Sequence, residues 1–119
     1  MKPEYTKDEL RNAAERIADM EEIYSRAHTE IRNLESALNG FAGQEKNLES
    51  LFGWYFNGCW MKDYDLDEKG LLSSDLKRGV LSEDTIYDLY EHVVGLEDSL
   101  QMIRTEIAEI LKRNSETAE

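Results

Sequence analysis

One cysteine, one proline and no long uncharged apolar run mark this chain of 119 residues, and each scarcity excludes a class of protein. A lone Cys59 cannot close an intrachain disulfide or build a cysteine-based metal cage within one chain, which fits a reducing compartment. Nowhere does an apolar stretch approach the ~18 residues that would span a bilayer. The opening Met1-Lys2-Pro3-Glu4-Tyr5 has no apolar segment behind it, so neither export nor insertion is expected and the cytoplasm is the expected location. Positive charge is also in deficit, with 14 Lys and Arg against 26 Asp and Glu for a net −12. Nucleic acid phosphates and anionic lipid would be approached against a repulsive field, so no direct nucleic-acid or membrane contact is expected, and a basic protein partner suits the charge better. No glycine-rich phosphate loop, nucleophile elbow or paired-carboxylate motif occurs, so no enzymatic activity and no cofactor are expected.

What the chain has is heptad order. Leu10, Ile17, Tyr24, Ile31 and Leu38 fill one position of a seven-residue repeat, and Ala13, Met20, Ala27, Leu34 and Phe41 fill the other. Thr6 and Glu9 form a capping-box pair ahead of this seam, so a first long helix is expected over 7–39. Asn39-Gly40 and Gly43 should then kink or break it, since glycine costs roughly 1 kcal/mol in a helix interior. A second seam runs through Ile86, Val93, Leu100 and Ile107 and through Leu89, Leu96, Ile103 and Ile110. Ser82 stands as its cap, with Glu83 and Asp84 on the positive end of the dipole, giving a last helix over 83–114. Both helices are about 50 Å long at 1.5 Å per residue, and matched lengths favour an antiparallel pair.

The middle of the chain is aromatic. Phe52, Trp54, Tyr55, Phe56, Trp60 and Tyr64 place six rings in thirteen residues, a small core in themselves. Leu48, Leu51, Phe52 and Tyr55 have helical spacing, so a short helix over 44–57 is expected to end at Gly58. Residues 58–81 read as loop and turn, acidic from Lys62 to Gly70, with Ser74 capping a single turn that stops at Gly79. Tyr87, Tyr90 and Val94 add an apolar patch on the front half of the last helix only, and the middle segment is its natural cover.

Three features invite a chemical reading. Asp63-x-Asp65-x-Asp67 resembles the opening of a calcium loop, but Glu68 stands where that loop needs glycine and Ser74 where it needs a bidentate glutamate, so a solvated acidic turn is the expected state. His28 and His92 fall on seam-flanking positions of different helices, and Cys59 lies in the aromatic cluster with no histidine nearby in sequence, as an inert, half-buried thiol. No metal site is expected. Lys77 and Arg78, two adjacent cations in an acidic chain, have two uses open to them: pairing with acids at Asp63 to Glu68 or at Glu83 and Asp84, or recognising an acidic group on a partner.

The run Trp60-x-x-Asp63-Tyr64, then Gly70-Leu71-Leu72, then Asp75 to Asp84 and on to Tyr87-Asp88-Leu89, resembles a bacterial domain-of-unknown-function family, number 4298. The likeness is specific over about thirty residues, while the heptads on either side would match many proteins. Ser73 departs from it where a proline is expected, and Gly40 and Gly43 interrupt a usually smoother helix. The resemblance implies a small all-helical bacterial or phage protein and carries no activity. A working surface in such a family would correspond here to Trp60, Asp63, Tyr64, Lys77, Arg78, Ser82, Glu83 and Asp84, residues that serve equally well as a lock closing the middle segment over the last helix.

The sequence therefore predicts one all-α domain, 1–119, in which an antiparallel long-helix hairpin carries a shorter helix and an ordered loop over one end. The bare half of the seam suggests a homodimer. The leading functional expectation is a protein-protein interaction or regulatory module. The alternatives are an acidic, phage-type inhibitor that mimics DNA to bind a nucleic-acid-binding protein, and a small metal- or ligand-binding protein.

Overall fold

The computed structural model describes residues 4–117. Met1 to Pro3, read above for the absence of an export signal, lie outside the described residues. Among the described residues the chain is helix and connecting turn with no strand: α1 (Lys7–Ala42), α2 (Glu45–Phe52) running into a π turn (Gly53–Asn57), α3 (Trp60–Glu68), a 3-10 turn (Gly79–Leu81) and α4 (Thr85–Thr117). The protein is all-α. It divides into two units, 1–46 and 47–119.

In the first unit α1 starts where its capping box places it. Thr6 Oγ1 accepts the Glu9 backbone N–H at 3.0 Å, and Glu9 Oε2 accepts the Thr6 N–H at 3.3 Å, so two backbone donors that α1 leaves unpaired are satisfied reciprocally. The expected break comes later than Asn39-Gly40. The helix runs through Gly40 and stops after Ala42, where Gln44 N–H closes a turn onto the Phe41 carbonyl at 2.9 Å. One glycine is thus carried at its propensity cost, and the second, Gly43, forms the cap. No residue of α1 is buried, and the large residues of its heptad stripe, from Leu10 to Phe41, are exposed.

The second unit holds the core. Trp60, Leu81 and Ile86 are buried, Ile86 to 1% exposure, and they come from α3, the 3-10 turn and the first turn of α4. The expected acidic loop is a correction: Trp60–Glu68 is helix. The helix is written in the residues, because Trp60, Asp63, Tyr64 and Asp67 recur at the spacing that puts them on one face. It ends at Gly70, whose φ of +70° lets Gly70 N–H reach the Asp67 carbonyl (2.9 Å) and Leu71 N–H reach the Leu66 carbonyl (3.2 Å), a double-bonded helix stop. The turn expected from Ser74 is displaced as well. Leu76 N–H bonds the Ser73 carbonyl, and the 3-10 turn begins at Gly79 instead of stopping there. Finally, α4 starts at Thr85, two residues past the expected Glu83, because Ser82 is extended (φ −65°, ψ 137°) and Asp84 supplies the carbonyl for the first helical bond, from Asp88 at 2.8 Å.

Candidate functional site

The resemblance points to the segment from Trp60 to Asp84, and the second unit builds this segment as a clasp. It begins with the π turn. Inserting one residue into the helical spiral at Gly53–Asn57 re-aims the ring-bearing residues that follow Phe52. Phe52 and Phe56 then both meet Tyr90 of α4 edge-on, with centroids 5.5 and 5.1 Å away, but the expected cover is partial: Tyr87, Tyr90 and Val94 stay exposed, and only Ile86 of the front of α4 is buried. Tyr55 is turned toward α3, where its ring meets Trp60 at 5.2 Å and its hydroxyl donates to the Glu83 carbonyl at 3.0 Å. Trp60 in turn stacks on Tyr64 (5.2 Å, 20°) and donates its indole N–H to the Val80 carbonyl at 2.9 Å. The rings form one chain of contacts from Tyr64 through Trp60, Tyr55 and Phe56 to Tyr90. Indole and phenol groups are the right residues for this place, each burying a ring while its polar tip ties down a loop carbonyl.

The turn ends at Gly58 for a steric reason. A Cβ there would lie 3.0 Å from the Gly53 carbonyl oxygen and from Trp54 Cα, closer than side chains ordinarily pack against backbone, which favours glycine at this position. Beyond it, α3 uses both of its inward carboxylates. Asp63 accepts the Trp54 indole N–H at 2.7 Å, and Asp67 accepts Arg78 Nε at 2.6 Å. Asp65, on the other side of the helix, pairs with Lys69 at 2.9 Å in solvent. Helical geometry therefore sets Asp65 apart from Asp63 and Asp67, and all three carboxylates are already paired.

Arg78 organises the connection between α3 and α4. Besides Asp67, its guanidinium donates to the Ser73 carbonyl (2.6 Å), the Leu76 carbonyl (2.8 Å) and the Ser74 carbonyl (3.4 Å). A planar fork with five fixed donors can do this and an ammonium cannot. Of the two uses open to the cations, Arg78 takes the internal one, with its side chain 34% and that of Asp67 16% exposed. Ser73, where the family pattern leads one to expect proline, contributes a carbonyl that proline would also carry, and adds a hydroxyl that accepts the Asp75 N–H at 3.2 Å.

The eight residues singled out from the sequence are thereby sorted. Trp60 is buried, and Asp63, Tyr64 and Arg78 are half-buried parts of the clasp, whereas Lys77, Ser82, Glu83 and Asp84 are exposed. Lys77 has no ion-pair partner among the described residues. Asp67 is one of the Asp63 to Glu68 acids expected to pair with Arg78, and Trp54 one of the expected core rings; neither was among the eight candidate site residues, although the four-residue spacing of Asp63 and Asp67 was an available signal. Cys59, expected half-buried, is exposed. His28 is exposed on α1 and stacks on Tyr24 at 5.5 Å, and His92 is exposed on α4. On the rim of the clasp, hydrogen bonding to the neighbouring Glu91 carboxylate and that carboxylate's charge raise the Tyr87 phenol's pKa above its ordinary 10.0.

Among the described residues no three His, Cys, Asp or Glu side chains gather as a metal-binding group, and no helix is long and apolar enough to cross a membrane. No curated protein and no solved structure matches the chain. Residues 17–105, which contain the whole clasp, match the model of the family described as Domain of unknown function (DUF4298), and the chain belongs to that family.

Proposed function

We propose that the protein is a cytoplasmic, bacterial interaction or regulatory module that works by holding a partner protein and performs no chemistry of its own. The observation that supports this reading is the division of labour along 73–84. Arg78, Trp60 and Tyr55 spend their donors on fixing a segment of mostly irregular backbone, and the exposed side chains between these anchor points, Lys77, Ser82, Glu83 and Asp84, are left to solvent. Irregular backbone held rigid on helices is where proteins commonly place recognition residues, since ordering has been completed before the partner arrives. The matching partner surface has basic groups for Glu83 and Asp84 and a carboxylate for Lys77.

Affinity capture followed by mass spectrometry tests this, using the intact chain beside Lys77→Glu and Glu83→Lys/Asp84→Lys. A protein retained by the unmodified chain and lost by both variants, while helical content and urea midpoint stay unchanged, supports the reading. Equal capture by all three overturns it. Nuclease-resistant capture of a nucleic-acid-binding protein that falls steeply across a salt series would instead point to the acidic-inhibitor alternative, which the net charge of −12 keeps open.

A further inference from the structure

Within the second unit, the clasp buries Ile86 at the start of α4 and its last ring contacts on that helix fall on Tyr90. Beyond that point the seam stands exposed in this unit, with Leu96, Leu100, Ile103, Ile107 and Ile110 between 37% and 52% exposed. The seam from the half-buried Val93 to Ile110 is about 27 Å long at 1.5 Å per residue. Its sequence is complementary to itself when reversed. Set antiparallel to a second copy so that Leu100 faces Ile103, it also places Leu96 opposite Ile107 and Val93 opposite Ile110. By symmetry these become six apolar layers of the kind that knobs-into-holes packing fills.

Charge chooses this register over its neighbours. On one flank, Glu97 of each copy meets Arg104 of the other, so a single opposite-charge pair is made twice. On the other flank Ser99 meets Glu106 and His92 meets Arg113, with no two carboxylates in register. Sliding the second copy by one heptad in one direction sets Glu97 against Glu97, and in the other it sets Arg104 against Arg104 and Glu106 against Glu106. We infer that the rear half of α4 is a homodimerisation surface, with the two copies antiparallel about a two-fold axis between Gln101 and Met102. An isologous contact of this kind closes on itself and leaves the Lys77 to Asp84 face of each copy free.

Sedimentation equilibrium over a micromolar concentration series, on the full chain, tests the inference. A dimer is expected. Glu97→Arg and Arg104→Glu should each weaken it roughly tenfold, since each sets like charges together at two symmetric places. The double variant Glu97→Arg/Arg104→Glu should regain the original dissociation constant. Ile103→Asp, with circular dichroism and tryptophan fluorescence confirming that helix and clasp survive, should give a monomer. A monomer throughout the series overturns the inference, including one in which hydrogen exchange finds the rear of α4 protected by another part of the same chain. A dimer that the double variant does not restore overturns the register and its antiparallel sense. These results are independent of partner capture by the Lys77 and Glu83 variants.

Discussion

Trp54 donates its indole N–H to Asp63 across a separation of nine residues, at 2.7 Å. This bond fastens the π turn to α3, and one helical turn further on Asp67 fastens α3 to Arg78. Removing the acceptor leaves a half-buried indole donor unpaired, a loss of about 1–2 kcal/mol. Asp63→Leu should lower the stability measured by urea unfolding by that amount. Asp63→Asn, which keeps an oxygen acceptor in place, should lose less than half as much.

Arg78 should behave as a structural residue in which shape matters more than charge. Arg78→Ala removes donors from Asp67 and three loop carbonyls and should cost about 2 kcal/mol, a figure held down by partial exposure of the pair. Arg78→Lys keeps the charge but cannot reproduce the fork, so its urea midpoint should fall nearer to that of Ala than to that of the unmodified chain. Hydrogen exchange should show the loss first at Leu76 and Leu81, whose amides close the turns beside Arg78.

Two glycines should respond to alanine with opposite signs. At Gly58 the new methyl meets backbone atoms of Gly53 and Trp54 at 3.0 Å, neither of which can rotate away, and a loss of about 2 kcal/mol is expected. At Gly95, inside α4 with open space around it, alanine should stabilise by about 1 kcal/mol through helix propensity. Thermal melts of the two variants side by side check the contrast.

The Tyr87 phenol should titrate above 10.0, because its hydrogen bond to Glu91 and that residue's charge favour the neutral form. A value raised in the folded state means that the contribution is complete at lower pH and is lost as pH rises through the folded-state value. Glu91→Gln should bring the Tyr87 value back toward 10.0 in a site-resolved NMR titration. An unchanged value would show that Glu91 does not set it.

The two long helices, the capping box at Thr6 and Glu9, and the aromatic cluster that meets Tyr90 were all legible in the sequence. Heptad spacing, a box of two residues and a cluster of rings are local signals, and each was answered by local geometry. In the Asp63-Asp65-Asp67 triplet composition and period point to different structures, and period prevails. Acidity suggests a loop, while the stripe Trp60, Asp63, Tyr64, Asp67 specifies a helix.

By itself, then, the sequence determined that the chain is helical, where its long helices run and that its middle is a small aromatic core. The helices follow from side-chain periodicity and helix-end signals, and the small core from the aromatic surface of the middle leaving water. Only the tertiary structure decided which polar groups serve that core. Whether Asp67 or Glu83 would receive Arg78, and whether Lys77 would be used or spared, depended on α3 setting two carboxylates along one face and on a π turn re-aiming the rings. Hydrogen bonds need alignment within a few tenths of an ångström, and that alignment is a property of packed elements and is not encoded by the spacing of residues alone.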